Sequence, residues 1–567
     1  MLAAVNTVYG QYTPPAPQPF QGFVNEWLRK DNPYMNAWDL GGQLRSRYEV
    51  RENALVAPPF HDFRRVMPAG GVINGQGNDN SFLANKLLVR ASYTDKWWNA
   101  LIVGRSSSVS GDTRGAAPNI PAGSSPDSDG PVDLHQANVT IGNHKEFPLS
   151  LKVGRQELSY GDERLVGAFA WNNIGRVFDG AKLRWQNSLF AAEAFASRLV
   201  VPIDNRFNLP SDYESFSGVH ITTKKVPKHN AEFYFFSRNM DRDNPRQFDL
   251  GPTRTLSPAP FNFSGRDVYT LGTRWKSNPG EIGNWDYSAE YNFQFGNYIN
   301  DRPDAGPANG AVGARRLEHQ AMAVTANLGY TFADVPAKPR LGLEYAYASG
   351  DSNPTDGKHG TFDNLYPTNH KFYGYGDYVS WQNLHNLRLS LSAKPTARWS
   401  VAVEGHFFWL ADTSDIYYNV GSIPRANAAI AGSGYRGAAG FSNSLGAELN
   451  VVSGYAVNKA TTLEAGYSHY FVGTYQQQSF QNVGGAKDAD WFYLQAVLSF
   501  YLRERTTTIV TSQRACSESC LRVAPAPRPC RWATPPDGTG EAARANNHGH
   551  FGKLCSAFPV GESPVSV

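Results

Sequence analysis

Residues 490–502 read Asp-Trp-Phe-Tyr-Leu-Gln-Ala-Val-Leu-Ser-Phe-Tyr-Leu. With a period of two, Phe492, Leu494, Ala496, Leu498 and Phe500 fall on one face, and Tyr493, Gln495, Val497 and Ser499 fall on the other. Successive side chains of a strand point to opposite sides of the sheet. One face here is therefore apolar along its whole length and the other is mostly polar. Such a strand suits either the core of a soluble sandwich or the lipid-facing wall of a membrane barrel. The rest of the chain separates these two readings.

The same alternation recurs upstream. In Trp38–Glu52 the positions Leu40, Gly42, Leu44, Ser46, Tyr48 and Val50 oppose Gly41, Gln43, Arg45, Arg47, Glu49 and Arg51. Leu87, Val89, Ala91 and Tyr93 oppose Arg90 and Ser92. Tyr287, Ala289, Tyr291, Phe293 and Phe295 oppose Ser288, Glu290, Asn292 and Gln294, and Trp399, Val401, Val403, Phe407 and Trp409 oppose Glu404 and His406. Further segments are expected at 98–107, 133–143, 147–156, 178–187, 189–198, 216–226, 229–239, 266–277, 317–332, 338–350, 382–394, 442–454 and 461–472. The total is about eighteen strands, an even number within the range of bacterial barrels.

The connections separate the readings. Long polar loops are expected at 53–82, 108–131, 157–177, 199–215, 240–265, 298–316, 351–380, 411–441 and 473–489. Short turns are expected between them at 95–98, 143–146, 186–188, 227–229, 334–338, 394–397 and 457–460. Long connections at one end and short ones at the other are the asymmetry of an outer-membrane barrel, with the long loops extracellular and the short turns periplasmic. A soluble sandwich has no reason to sort its loops in this way. The expected fold is an all-β transmembrane antiparallel barrel over 38–502, in the bacterial outer membrane and in contact with its lipid.

Composition agrees. The 567 residues include 28 Tyr, 32 Phe, 13 Trp and 53 Gly, which suits aromatic girdles and glycine-rich loops. No run of about eighteen apolar residues is present, so a helical span is not expected. A net charge of +3 argues against a nucleic-acid partner. All four cysteines, Cys516, Cys520, Cys530 and Cys555, follow the last strand. A cysteine-free body fits passage through an oxidising periplasm.

The ends read differently. Met1–Gly10 lacks the basic start and apolar run of a secretory signal, so on the barrel reading the signal peptide is missing. Residues 11–37 read as an irregular lead-in. Residues 503–567 are Pro-rich, basic and without periodicity, and read as a disordered tail, a readthrough or frameshift product. The Cys516-x3-Cys520 spacing lacks well-placed partner ligands, so neither metal nor cofactor is expected.

If the apolar faces meet lipid, the opposite faces line the lumen. From the earlier strands these carry Arg45, Arg47, Arg51, Arg90, Lys152, Lys182, Arg184 and Arg274; from the later strands Glu290, Glu344, Glu404, Glu448 and Glu464, with Arg388 among them. The expectation is a basic arc facing an acidic arc. Guanidinium groups bind carboxylates in bidentate fashion and stay charged, so a ladder of them offers an anion successive weak sites. Parity sends Arg105 and Arg155 outward with Leu101 and Leu151 unless a bulge or strand end turns them in. His370, His385, His406 and Asp351 are accompanied by no nucleophile motif, so no catalytic residue and no enzyme is expected.

Gly154-Arg155-Gln156-Glu157-Leu158-Ser159-Tyr160-Gly161-Asp162-Glu163-Arg164-Leu165-Val166-Gly167 resembles a motif of the alginate export family of outer-membrane porins. Residues 173–180, 365–374 and 381–384 continue the likeness, which covers about 38–502. The resemblance implies an 18-stranded barrel whose constricted, arginine-rich lumen passes an anionic polysaccharide. On that pattern Arg155, Asp162, Arg164, Arg176 and Asp179 form the constriction, and periplasmic export components are possible partners. Uptake of small organic acids, or a barrel adhesin without transport, are the alternative functions.

Overall fold

The structure is a computed structural model that describes residues 23–30, 32–53, 79–112, 128–143, 146–202, 207–223, 225–241, 265–300, 315–353, 356–370, 372–418, 420, 440–483 and 486–500. The N-terminal ten residues read for a signal and the tail 503–567 lie outside the described residues.

The strands are β1 Trp38–Glu52, β2 Asn80–Thr94, β3 Trp98–Ser110, β4 Asp129–Ile141, β5 Leu149–Gln156, β6 Phe178–Gln186, β7 Phe190–Val201, β8 Leu209–Thr223, β9 His229–Met240 and β10 Arg266–Ser277. They continue as β11 Trp285–Asn300, β12 Arg315–Thr331, β13 Arg340–Ala348, the two-residue β14 Lys358–His359, β15 Leu384–Ala393, β16 Trp399–Leu410, β17 Ser444–Ala456, β18 Thr461–Val472 and β19 Ala489–Ser499. Each pairs antiparallel with its neighbours, except that β14 bridges parallel to β12 and β13 pairs directly with β15. β1 meets β19 along Gln43–Glu52, so eighteen strands close into a barrel. Closure leaves no unpaired edge, which is what a sheet immersed in hydrocarbon requires.

The wall sorts its residues as the alternation predicts. In β19, Phe492, Leu494 and Leu498 are 42%, 51% and 44% exposed, whereas Tyr493 and Gln495 are 0% and 4% exposed. An outward row of large apolar side chains repeats on β2, β5, β13, β15 and β16, and it is the face a bilayer solvates. Trp38, Trp98, Trp185, Trp285 and Trp399 are all exposed at the short-turn end, forming one aromatic girdle. The long connections share the opposite end, the extracellular one.

Several details differ from the sequence reading. β2 begins at Asn80 and β8 at Leu209, so the connection expected at 199–215 shrinks to residues 202–208. Within the lead-in, Phe23–Lys30 form a short helix, α1. Leu101 points inward beside Ser92 because its neighbour Ile102 takes the lipid face, and Arg105 follows Leu101 into the lumen.

Arg155 is buried through a different device. Gly154 has φ +118°, and a Cβ built there would lie 2.2 Å from the Ala137 carbonyl oxygen. This glycine kinks β5 just before its end, so Arg155 lies against Leu134 and Asn208 instead of facing lipid. Gly154→Ala is expected to cost about 1–3 kcal/mol through backbone strain. The measurement is the melting of the heat-modifiable folded band in detergent.

The barrel interior is not an open bore lined only by polar groups. The connections 157–177 and 349–383 fold back between the walls and meet at a parallel bridge, Val166 to Tyr366. Tyr366 N donates to Leu165 O (2.8 Å), Gly167 N to Tyr366 O (2.9 Å) and Thr368 N to Glu163 O (2.8 Å). Buried loop backbone needs such partners, and each loop supplies the other's. Around the bridge, Tyr160, Val166 and Tyr366 pack on Phe195, Phe216 and Phe236 of β7, β8 and β9. The expectation that every apolar face meets lipid fails here. These strands are apolar on both faces because the inner one seats the inserted loops.

Candidate solute pathway

Built up from the wall, the lumen is a set of short-range ion pairs. In β1, Glu49 accepts from Arg47 Nε (2.7 Å), Arg51 (3.1 Å) and Trp491 Nε1 (3.0 Å). Arg105 of β3 pairs with Asp129 and Asp133 of β4. Glu193 of β7 serves Lys182 (3.2 Å) and Arg184 of β6. Arg274 of β10 bonds Glu232 of β9 at 2.5 Å, and Arg388 of β15 bonds Glu344 of β13 at 2.8 Å, with Glu404 3.7 Å away. Glu290 accepts from the Tyr234 hydroxyl at 2.7 Å. The expected separation into a basic and an acidic arc is therefore corrected, because carboxylates interleave with cations around the whole wall. A buried guanidinium without a nearby counter-charge is costly, so these cations are partnered by carboxylates within one or two strands, whereas Arg45 and Lys86 are satisfied by loop carbonyls.

The loop residues implied for the constriction tie the inserted segments to that wall. Asp162 bonds Arg274 at 2.5 Å, with Lys276 3.6 Å away. Arg164 donates to Glu344 at 2.6 Å and lies over the Phe372 ring at 4.2 Å. Burial opposes the charge on Arg164, but the Glu344 carboxylate and Tyr373 raise its pKa above the ordinary guanidinium value. Arg176 donates to the carbonyls of Gly167 (3.3 Å) and Pro367 (2.9 Å), pinning both sides of the bridge. Arg155 and Asp179 form a bidentate pair at 2.7 and 2.9 Å at the strand ends. The five are thus joined by one inserted loop and its flanks, as anchors.

On the other side Asp363 is the counterpart. It accepts from Arg238 (3.1 Å), Arg266 (2.8 Å) and the Tyr298 hydroxyl (2.5 Å). Burial would raise its pKa, but the two guanidiniums hold its carboxyl well below the usual carboxylate range. The tip of 157–177 rests on the β1–β2 wall. There Arg45 donates to Ala170 O and Asn172 O, Lys86 to the same two carbonyls, and Arg47 to Trp171 O while stacking on its ring at 4.0 Å. Trp171 stacks in turn on His370 at 3.9 Å, and His370 bonds Asp377, which gives this histidine a packing role.

Arg90, Lys152, Lys182 and Arg184 remain as lumen-facing, partly exposed cations, all near the short-turn ends of β2, β5 and β6. Lys152 stands directly across from Lys182 in the ladder. Sequence reasoning missed Lys86, Arg238, Arg266 and Asp363. Lys86 was findable by extending the β2 alternation one turn of the pleat toward its N-terminus.

At the extracellular end, Asp351 N and the hydroxyls of Thr361 and Tyr418 donate to Asp415. Burial, reinforced by the facing Asp415, pushes the Asp351 carboxyl up to about 6. A carboxyl with a raised folded pKa binds its proton more tightly folded than unfolded, so loop stability falls as pH rises from about 4 to 6. Proteolysis of the 349–383 loop is therefore expected to be slower at pH 5 than at pH 7.5. Asp351→Asn is expected to remove most of that difference.

A sequence profile described as alginate export matches residues 38–486. No curated protein matches the chain. Solved structures similar to it include Pseudomonas aeruginosa OccK11 (OpdR), at 13% identity over 82% of this chain and 96% of that one, with a TM-score of 0.44. Pseudomonas aeruginosa OpdK with vanillate is 11% identical over 81% and 98%, TM-score 0.47. A BenF-like porin from Pseudomonas fluorescens Pf-5 is 10% identical over 82% and 99%, TM-score 0.47.

Proposed function

The chain belongs to the alginate export family of outer-membrane channels, and on that premise we propose that it conducts an anionic polysaccharide such as alginate outward through its lumen. The observation that carries this reading is the group of water-accessible cations Arg90, Lys152, Lys182 and Arg184 at the periplasmic end, with Glu193 paired to Lys182 and Arg184 and Glu157 near Lys152. Clustered cations in a low-dielectric mouth raise the local concentration of an anion and draw it in. Uronate carboxylates would meet these groups before the region of the bore that the two inserted loops narrow. The interleaved acids beyond it keep any one arginine from holding the polymer too long.

A second reading, uptake of small organic acids, is favoured by the two loops that fold into the bore. Planar-bilayer recording distinguishes the two. Oligouronates added on the short-turn side are expected to block an anion-selective current in the polysaccharide channel, and Arg90→Glu with Lys152→Glu is expected to weaken both block and selectivity. Current insensitive to oligouronates but carried by small carboxylates would favour the second reading. Selectivity unchanged in the variant would remove these residues from the pathway.

A further inference from the structure

The outer wall carries a groove that transport does not explain. It lies across β11 to β16 at the periplasmic end, with a volume of about 700 Å³, and its lining includes Trp285, Tyr330, Leu343, Leu389, Val403 and Gly405. That volume is in the range of small-molecule sites. At the β16 edge of the groove Gly405 takes a lipid-facing position between Val403 and Phe407, and a Cβ built there meets nothing within 4 Å.

Below the groove the turns draw cations together. Lys394 N donates to Ala337 O at 2.9 Å, which sets the β15–β16 turn beside the one that holds Lys338. Ala456 N donates to Arg398 O at 2.8 Å, which brings the turn with Lys459 alongside. Lys338, Lys394, Arg398 and Lys459 thus follow one another along the rim. Of the nearby carboxylates, Asp334 shares the β12–β13 turn with Lys338, and Glu281 lies in the β10–β11 turn.

We infer that this surface seats one glycerophospholipid of the periplasm-facing leaflet, with an acyl chain in the Gly405 groove and its phosphate on the rim cations. An apolar slot above a cationic rim is complementary to that molecule in both shape and charge. Trp285 and Trp399 flank it at the depth where indole rings meet headgroups.

The full chain, purified in mild detergent, is titrated with phosphatidylglycerol and followed by native mass spectrometry. One lipid is expected to bind tightly. Gly405→Phe fills empty space and is expected to weaken binding about tenfold through lost apolar burial. Replacing Lys338, Lys394 and Arg398 by Ser is expected to cost about fivefold per cation. Ile102→Phe, on the outer face of β3, is the control and is expected to bind as the parent does. The inference is overturned if Gly405→Phe binds like the parent, if Ile102→Phe loses as much, or if the parent sediments as a dimer that Gly405→Phe dissolves.

Discussion

Glu344→Gln is expected to destabilise the protein by about 3–5 kcal/mol, the cost of breaking a buried ion pair from one side. The Glu344 side chain is 2% exposed and accepts from two guanidiniums, Arg164 at 2.6 Å and Arg388 at 2.8 Å. Gln keeps the shape and removes the charge. Arg388 retains Glu404 nearby, but Arg164 is left with the Tyr373 hydroxyl and the Phe372 ring. Neither compensates a buried cation. The loop carrying Arg164 is therefore expected to leave its seat before the wall unfolds. Tm in detergent is expected to fall, and chymotrypsin to cut within residues 157–177 at temperatures where the parent resists. Arg164→Met combined with Glu344→Met is expected to recover much of the loss, since the remaining groups no longer include an orphaned charge. A Glu344→Gln variant as stable and as resistant as the parent would mean that water reaches Arg164.

The second large effect is functional. Arg45, Arg47 and Lys86 make five contacts to the carbonyls of Ala170, Trp171 and Asn172. Hydrogen bonds from charged donors contribute roughly 1.5–3 kcal/mol each, so the loop tip is held by several kcal/mol. Replacing all three by Ser is expected to free the tip while the strands stay paired, because Glu49 keeps Arg51 and Trp491 as partners. Single-channel records are expected to show larger conductance and new fast fluctuations. Records identical to the parent's would show that residues 168–174 do not limit the current.

The period of two made the wall legible. It located eighteen strands, and it placed Leu494 in lipid and Gln495 inside, because burial on only one side leaves its mark on every second residue. The inserted loops were harder to see. Val166 and Tyr366 pair across 200 positions, and no local pattern announces such a contact. The strands around them disguise their inner face for the same reason: Phe195 and Phe236 look like lipid-facing residues and are covered by Tyr160 of the first loop. The charge arcs were misread because the alternation assigns a side chain to a face but says nothing of its partner. Glu49, two residues from both Arg47 and Arg51, already neutralises part of the arc to which those arginines were assigned.

The loop junction at Val166 and Tyr366 has a mechanical consequence. One loop leaves the ring between β5 and β6 and the other between β13 and β15, nearly half the circumference away. A thin hoop of eighteen members flattens easily under sideways load, whereas a hoop with a tie rod across its diameter does not. The Arg164–Glu344 bond fixes the first loop to β13, beside the second loop's root, and the bonds of Arg274, Arg238 and Arg266 brace both loops against β9 and β10, midway between the roots. Roundness in this tube is therefore kept from within, and any solute wide enough to part the rod would also let the hoop go oval.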